Sequence, residues 1–243
     1  MRVIFLGVAG SSPYMNHSLP SILIDDTLLD CGEGSLQALD KLGLTGRIKR
    51  VLLTHVHADH VNGLLSLLWR YALEGRQESL TIIGPRGLKE FLDISLKITY
   101  SPIEKVSRYL KVKEITPPTE VEGIKVVQAA HPVISLAYRV GDVCYTGDTA
   151  PSEDIITLAE GCELLIHDST FPPGMEEKAI QEGHSTPRQA ALVAKRAKVD
   201  KLALFHLPFY FFKGDNFKKD YINAAKEIFY KVFIPSEFDE IEV

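Results

Sequence analysis

Hydrophobic residues along this chain fall into short continuous runs and longer stripes of helical spacing, and their order predicts the layout. Residues 3–6 form a run of the buried-strand type that stops at Gly7. Residues 21–25 and 27–30 read as a hairpin turning at Asp25-Asp26, and residues 33–42 as a helix closed by Gly43. Residues 50–54 are a further strand that runs directly into a cluster of histidines. Beyond the cluster, Leu64, Leu65, Leu68, Tyr71 and Ala72 recur at helical spacing, so a helix is expected over 61–73. The cluster therefore falls on a strand-to-helix turn. A strand at 81–83 and a helix over Leu88–Ile98 follow.

A second β-rich stretch then begins. Strands are expected at 110–115, 123–130, 135–140 and 143–146, the last two joined by Gly141-Asp142 as a tight hairpin. Thr116-Pro117-Pro118-Thr119 reads as a loop. A strand over 163–167 and a helix over 186–198, with Pro187 at a permitted first-turn position, come next. Lys201–Phe205 is a strand ending at His206, and 217–230 a helix. Strands then helices, repeated twice, predict a layered α/β arrangement with two sheets inside. No repeat or low-complexity linker divides the chain, so residues 1–243 are read as one domain.

Composition narrows the class. With 45% hydrophobic and 24% charged residues the chain is of ordinary globular type, and a net charge of -5 gives no bulk attraction to nucleic acid or acidic membranes. Its three cysteines, Cys31, Cys144 and Cys162, form no C-x-x-C pair and are read as buried small residues, which points to the cytoplasm. The first apolar run is too short for a signal peptide, and no stretch approaches the roughly 20 apolar residues of a membrane-spanning helix. Lys195, Arg196, Lys198 and Lys201, and again Lys213, Lys218 and Lys219, cluster locally; a solvated face is the favoured reading over RNA contact. Phe205, Phe209, Tyr210, Phe211 and Phe212 beside His206 are read as core or a contact between two copies, with base stacking as the alternative. Trp69 is expected in the core.

The chemistry concentrates in His55-Val56-His57-Ala58-Asp59-His60, which holds three of the eight histidines. Three imidazoles beside one carboxylate would repel one another when protonated, so a core role is disfavoured and a metal role favoured. On an extended segment His55, His57 and Asp59 project to one side and converge, while His60 turns away as the helix begins. Three further candidates stand where strands end: His131, Asp148 and His206. A lone histidine there is often a hydrogen-bonded core residue, but the set together supplies the ligands that a pair of four-coordinate cations needs. Imidazole favours zinc, while manganese or iron also occupies mixed imidazole–carboxylate sites.

These residues resemble a known pattern. THVHADH matches the H-x-H-x-D-H signature of the metallo-β-lactamase superfamily, and LLDCGEG its buried-aspartate motif. FLGVAGSSP, YTGDT and HDSTF followed by GHSTPRQAALVAKRAKVDKLALFH are similar to the ribonuclease Z branch, over nearly the whole chain. The resemblance implies a four-layer αββα sandwich and a metal-dependent phosphodiesterase or endoribonuclease active in tRNA 3′ processing. It implies one cation on His55, His57 and His131, a second on Asp59, His60 and His206, and a bridging Asp148. Asp59 would orient the attacking water, His184 would protonate the leaving oxygen, and Asp30 would support the histidine turn. The implied partner is RNA or a small phosphodiester, with no membrane. The branch usually carries a long arm that grips tRNA; here only 16 residues separate His131 from Asp148, and two strands use them. The branch also follows its last metal histidine with a serine-containing stretch, where this chain has Leu207-Pro208-Phe209-Tyr210. The alternatives are a hydrolase acting on a small ester, lactone or thioester with the same metals, and a metal- or nucleic-acid-binding module without activity.

Overall fold

Alternation along the strands sorts their side chains into two layers of core. In the computed structural model, which describes residues 1–243, β1 (Arg2–Gly7) sends Val3 and Phe5 into the larger core and Ile4 and Leu6 into a second one. The same parity holds in the next strands, β2 (Ser21–Ile24), β3 (Thr27–Leu29), β4 (Arg50–Leu52) and β5 (Leu80–Gly84): Ile22, Leu29, Leu52 and Ile83 face the larger core, and Leu23, Leu28, Val51 and Ile82 the smaller. With β6 (Leu110–Glu114) and, from the C-terminus, β14 (Glu240–Glu242), these strands form a seven-stranded sheet in the order β14-β1-β2-β3-β4-β5-β6.

The second sheet has the order β13-β12-β11-β10-β9-β8-β7. It is built from β7 (Thr119–Val121), β8 (Ile124–Gln128), β9 (Leu136–Val140), β10 (Val143–Tyr145), β11 (Leu164–Asp168), β12 (Lys201–Phe205) and β13 (Val232–Phe233). Helices α1 (Ser35–Leu42), α2 (Ala58–Glu74) and α3 (Leu88–Ile98), followed by the single turn α4 (Ile103–Val106), contribute to the smaller core outside the first sheet. Helices α5 (Glu153–Ala159), α7 (Pro187–Ala197) and α9 (Lys218–Lys226) cover the second sheet. The short α6 (Glu176–Gln181) and α8 (Phe209–Phe212) lie in the connections. The result is the expected four-layer αββα sandwich.

Strand direction then makes an edge for the site. β8 and β10 both run antiparallel to β9, and β10, β11 and β12 are parallel to one another, so β8, β10, β11 and β12 all point the same way. Their C-terminal ends line one rim of the second sheet. β3, β4, β5 and β6 are likewise mutually parallel. The two rims are tied where the Tyr138 hydroxyl donates to the Leu53 carbonyl (2.7 Å) and the Leu136 N–H to the Thr54 carbonyl (2.8 Å).

Several expectations change. Helix α2 begins at Ala58, not Val61, so Asp59 and His60 both occupy its first turn. The extended geometry expected to bring Asp59 beside His55 and His57 therefore does not exist; Asp59 rotates with the helix toward His60 and His206. The pattern also missed α4, α5, α6, α8, β7, β13 and β14, all too short for a periodic stripe. Helix α5 did carry a start signal: Ser152 caps it by accepting from the Ile155 N–H, and Glu153 and Asp154 fill its first turn. Strand β14 is polar and is held by its pairing with β1, which places Glu240 beside Arg2. The segment between His131 and Asp148 is the hairpin β9–β10, with no room for an arm. The cysteines are buried, Trp69 is half-buried with its indole N–H on Ser101 (2.7 Å), and Lys195, Arg196 and Lys198 are solvent-exposed. No helix is long and apolar enough to cross a membrane.

One contact ties α2 to the turn after β3. The Gly63 N–H donates to the Cys31 carbonyl (2.9 Å), and a Cβ on Gly63 would stand 2.1 Å from the Gly32 carbonyl oxygen. Gly63→Ala is expected to force helix and turn apart and to destabilise the fold by about 1–3 kcal/mol, read as a lower urea midpoint.

Candidate metal centre

Loops at the two rims deliver every predicted site residue into one cleft. The turn after β4 brings His55 and His57, and the first turn of α2 brings Asp59 and His60. The segments after β8, β10 and β12 bring His131, Asp148 and His206. The ligand atoms of His55, His57, His131 and Asp148 lie within 4.8 Å of one another, as do those of Asp59, His60 and His206. Asp148 stands between the groups: Oδ1 is 3.3 Å from Nε2 of both His60 and His206, and Oδ2 is 3.7 Å from His55 Nε2. His184 joins the same cleft with Asp148 and His206. His57 is exposed and marks its mouth, while His55 and His60 are buried.

Hydrogen bonds at the back of the cleft fix the tautomers. A carbonyl can only accept, so His131 donates Nδ1–H to the Gly183 carbonyl (2.9 Å). His60 donates Nδ1–H to Asp30 (2.7 Å). The Thr54 hydroxyl gives its proton to Asp30 (2.9 Å) and so accepts from His55 Nδ1–H (2.9 Å). The Thr170 hydroxyl gives its proton to Asp168 (2.6 Å) and accepts from His206 Nδ1–H (2.8 Å). With Nδ1 of four rings engaged in this way, Nε2 is in each the nitrogen left to face the cleft, where a metal would take it in its deprotonated form. Nε2 of His60, Nε2 of His131 and Oδ1 of Asp148 are buried with no hydrogen-bond partner at all. Orphaned lone pairs cost free energy unless something electropositive satisfies them. The donor set, with these unpartnered atoms at its centre, fits divalent cations.

Electrostatics agree. Burial drives the pKa of His55 well below the ordinary imidazole value, with neighbouring His60 acting in the same direction, and burial lowers His131 too. Burial works against ionised Asp148 and Asp59, but His206 and His60 outweigh it and hold both carboxyls below their usual range. The effect is mutual: burial opposes a charge on His60, but Asp148 and Asp30 outweigh it and raise that ring's pKa well above the ordinary imidazole value, so the cleft draws positive charge to this point.

Two buried carboxylates support this cleft, one per sheet. Asp30, at the end of β3, accepts from the Thr54 N–H (2.8 Å), from His60, and from the Tyr145 hydroxyl on β10 (2.8 Å). Asp168, at the end of β11, accepts from the N–H groups of Thr149 (3.0 Å) and Thr170 (2.8 Å) and from His184 Nδ1–H (2.7 Å). Burial disfavours a charged His184, yet Asp168 more than compensates and raises its pKa to about 9. Asp168 was missed by the sequence reading, although the signal was present: an acid ends the apolar strand Leu164–Asp168, as Asp148 follows Val143–Tyr145. Thr54, Thr170 and Tyr145 carried no signal. Gly10 leaves room for His206, since a Cβ there would lie 2.3 Å from its ring.

Fold and cleft define a metal-dependent hydrolase of αββα type, and the comparisons agree. A family described as "Beta-lactamase superfamily domain" matches residues 26–207. Ribonuclease Z of Methanothermobacter thermautotrophicus is 31% identical over 306 aligned positions, covering 100% of this chain and 97% of the relative. The metallo-beta-lactamase fold protein YhfI of Bacillus subtilis is 25% identical, with a TM-score of 0.84 over 99% of each chain. The human tRNase Z short form, 24% identical, shares the fold at a TM-score of 0.81 over 100% of this chain and 99% of its own. The chain belongs to the metallo-β-lactamase superfamily and, within it, to the ribonuclease Z family. The first alignment is longer than the 243 residues of this chain, so that relative carries segments this chain lacks.

Asp30→Asn keeps the shape but removes the charge behind His60. Metal affinity is expected to fall roughly 10- to 100-fold, measured by competition with a chromogenic chelator.

Proposed function

We propose that this protein hydrolyses a phosphodiester bond in RNA, as an endoribonuclease of ribonuclease Z type, with the whole chain acting as one domain. The observation that carries the reading is His184, held by Asp168 at 2.7 Å beside two adjoining donor groups. Ribonuclease Z is the name of relatives that align with the full chain. His55, His57 and His131 hold one cation and Asp59, His60 and His206 a second, with Asp148 between them. Zinc is favoured by five imidazoles among seven donors. Such cations, when bound, polarise a phosphoryl oxygen and lower the pKa of a water ligand from 15.7 to about 7. The three buried thiols suit a reducing compartment, the cytoplasm.

The chain's own groups do the rest. Asp59 Oδ2 accepts from the Ser11 N–H (2.9 Å), which fixes the carboxylate facing His206 and leaves it to orient the attacking water. His184 keeps Nδ1–H on Asp168 and turns Nε2 toward the cleft. When protonated, Nε2 gives its proton to the departing oxygen. Its raised pKa keeps that proton available at neutral pH.

His184→Ala is expected to lower turnover of bis-p-nitrophenyl phosphate and of a precursor tRNA by about 10²- to 10⁴-fold while metal content, measured on the same sample, stays the same. Turnover of a lactone or thioester with none of either phosphodiester would replace the reading.

The acid must be protonated, so the rate is expected to hold through neutral pH and fall as pH rises through about 9. Asp168→Asn removes the charge that raises His184, and the falling limb should move to lower pH, measured as kcat/KM against pH. An unmoved limb would detach His184 from it.

A further inference from the structure

A second cavity adjoins the metal cleft and is built from different chemistry. It has a volume of about 320 Å³, at the small end of the roughly 300–1,000 Å³ of ligand pockets. Phe171, Met175, Tyr210 and Phe211 form its walls, and Lys178 stands at its edge. Its remaining lining includes Gly10 and Thr170, both of which adjoin the His206 ring. The pocket and the metal centre thus adjoin at Gly10 and Thr170.

The aromatic walls are unusual in their exposure. Tyr210 is 64% and Phe211 73% accessible, on the single turn α8, although the neighbouring Phe209 is fully buried. Phe209 anchors the turn by packing against Phe217 (ring centroids 5.4 Å apart), so Tyr210 and Phe211 are presented outward by a fixed base. Tyr210 rests edge-on against Tyr14 at 6.4 Å. Phe171, on the other side, lies 5.9 Å from the His184 ring, so the pocket sits on the side of the cleft where the proton is delivered. Apolar, flat-walled and rimmed by one cation, it suits a planar group attached to a phosphate.

We infer that this pocket is a nucleobase subsite: it stacks the base of the nucleoside next to the scissile phosphate, on Phe171, Tyr210 and Phe211, with Lys178 facing the sugar–phosphate chain. The inference rests on the phosphodiesterase reading and names what that site recognises. Stacking on aromatic side chains is sequence-tolerant, so the subsite selects for a nucleotide over other phosphate esters more than for one base over another.

Calorimetric titration of the metal-loaded protein with adenosine 5′-monophosphate, ribose 5-phosphate and inorganic phosphate tests it. The nucleotide is expected to bind at least about 5-fold more tightly than ribose 5-phosphate, the difference being the stacked base. Tyr210→Ala and Phe211→Ala change exposed side chains, and their double variant should bring that ratio to about one. Equal binding of the two ligands by the unaltered protein, or a ratio that survives the double variant, overturns the subsite. Hydrolysis of bis-p-nitrophenyl phosphate by the same samples reports separately on the phosphodiesterase reading: turnover without base preference sinks the subsite alone, and base preference without turnover sinks the reading of the reaction alone.

Discussion

The Asp30 carboxylate is the constraint on which the site depends. It is fully buried, and its two oxygens accept from the Thr54 backbone, the Thr54 hydroxyl, His60 and Tyr145. Those donors come from the histidine turn, the first turn of α2 and the second sheet. A buried carboxylate is costly unless its lone pairs are met, and here meeting them requires all three elements to be in place together. Asp30 itself adopts a left-handed backbone (φ 54), which a short polar residue tolerates better than most, and this turns its side chain back under the histidines.

The second sheet repeats the device. Asp168 is buried at the end of β11 and holds Thr170 and His184, and through Thr170 the tautomer of His206. The metal cleft lies between these two carboxylates. Each sheet therefore sets the orientation of its own histidines, and Asp148, between the donor groups, is the residue common to both. Nε2 of His60, Nε2 of His131 and Oδ1 of Asp148 are buried there without a hydrogen-bond partner, a need that a cation would meet.

Around this rigid centre the chain differs from the pattern it resembles, and the differences lie on one flank. The hairpin β9–β10 fills the segment between His131 and Asp148, and the stretch after His206 presents aromatic side chains. His206 also has a left-handed backbone (φ 59), which turns the chain sharply from β12 into that aromatic turn. His206 and the Tyr210–Phe211 wall are thus placed by the same bend.

Much of this was legible in the sequence. Apolar runs placed most of the long strands and helices to within a few residues, because burying a strand face or a helix stripe requires a period that survives in the composition. The histidine hexapeptide was legible because imidazoles are scarce and crowding them is electrostatically costly without a metal. His131, Asp148 and His206 were legible as polar residues ending apolar runs. What only the tertiary structure decided was set by contacts between distant segments. The start of α2 at Ala58 turns Asp59 with the helix toward His60 and His206, the grouping that the family resemblance implied and that the extended reading of the segment did not. Asp168, Thr54, Thr170 and Tyr145 have ordinary local patterns, and their roles exist only because two sheet rims meet. The sequence by itself determined which residues could bind metal; the pairing of two parallel-strand rims, held by two buried carboxylates, decided how they are aimed.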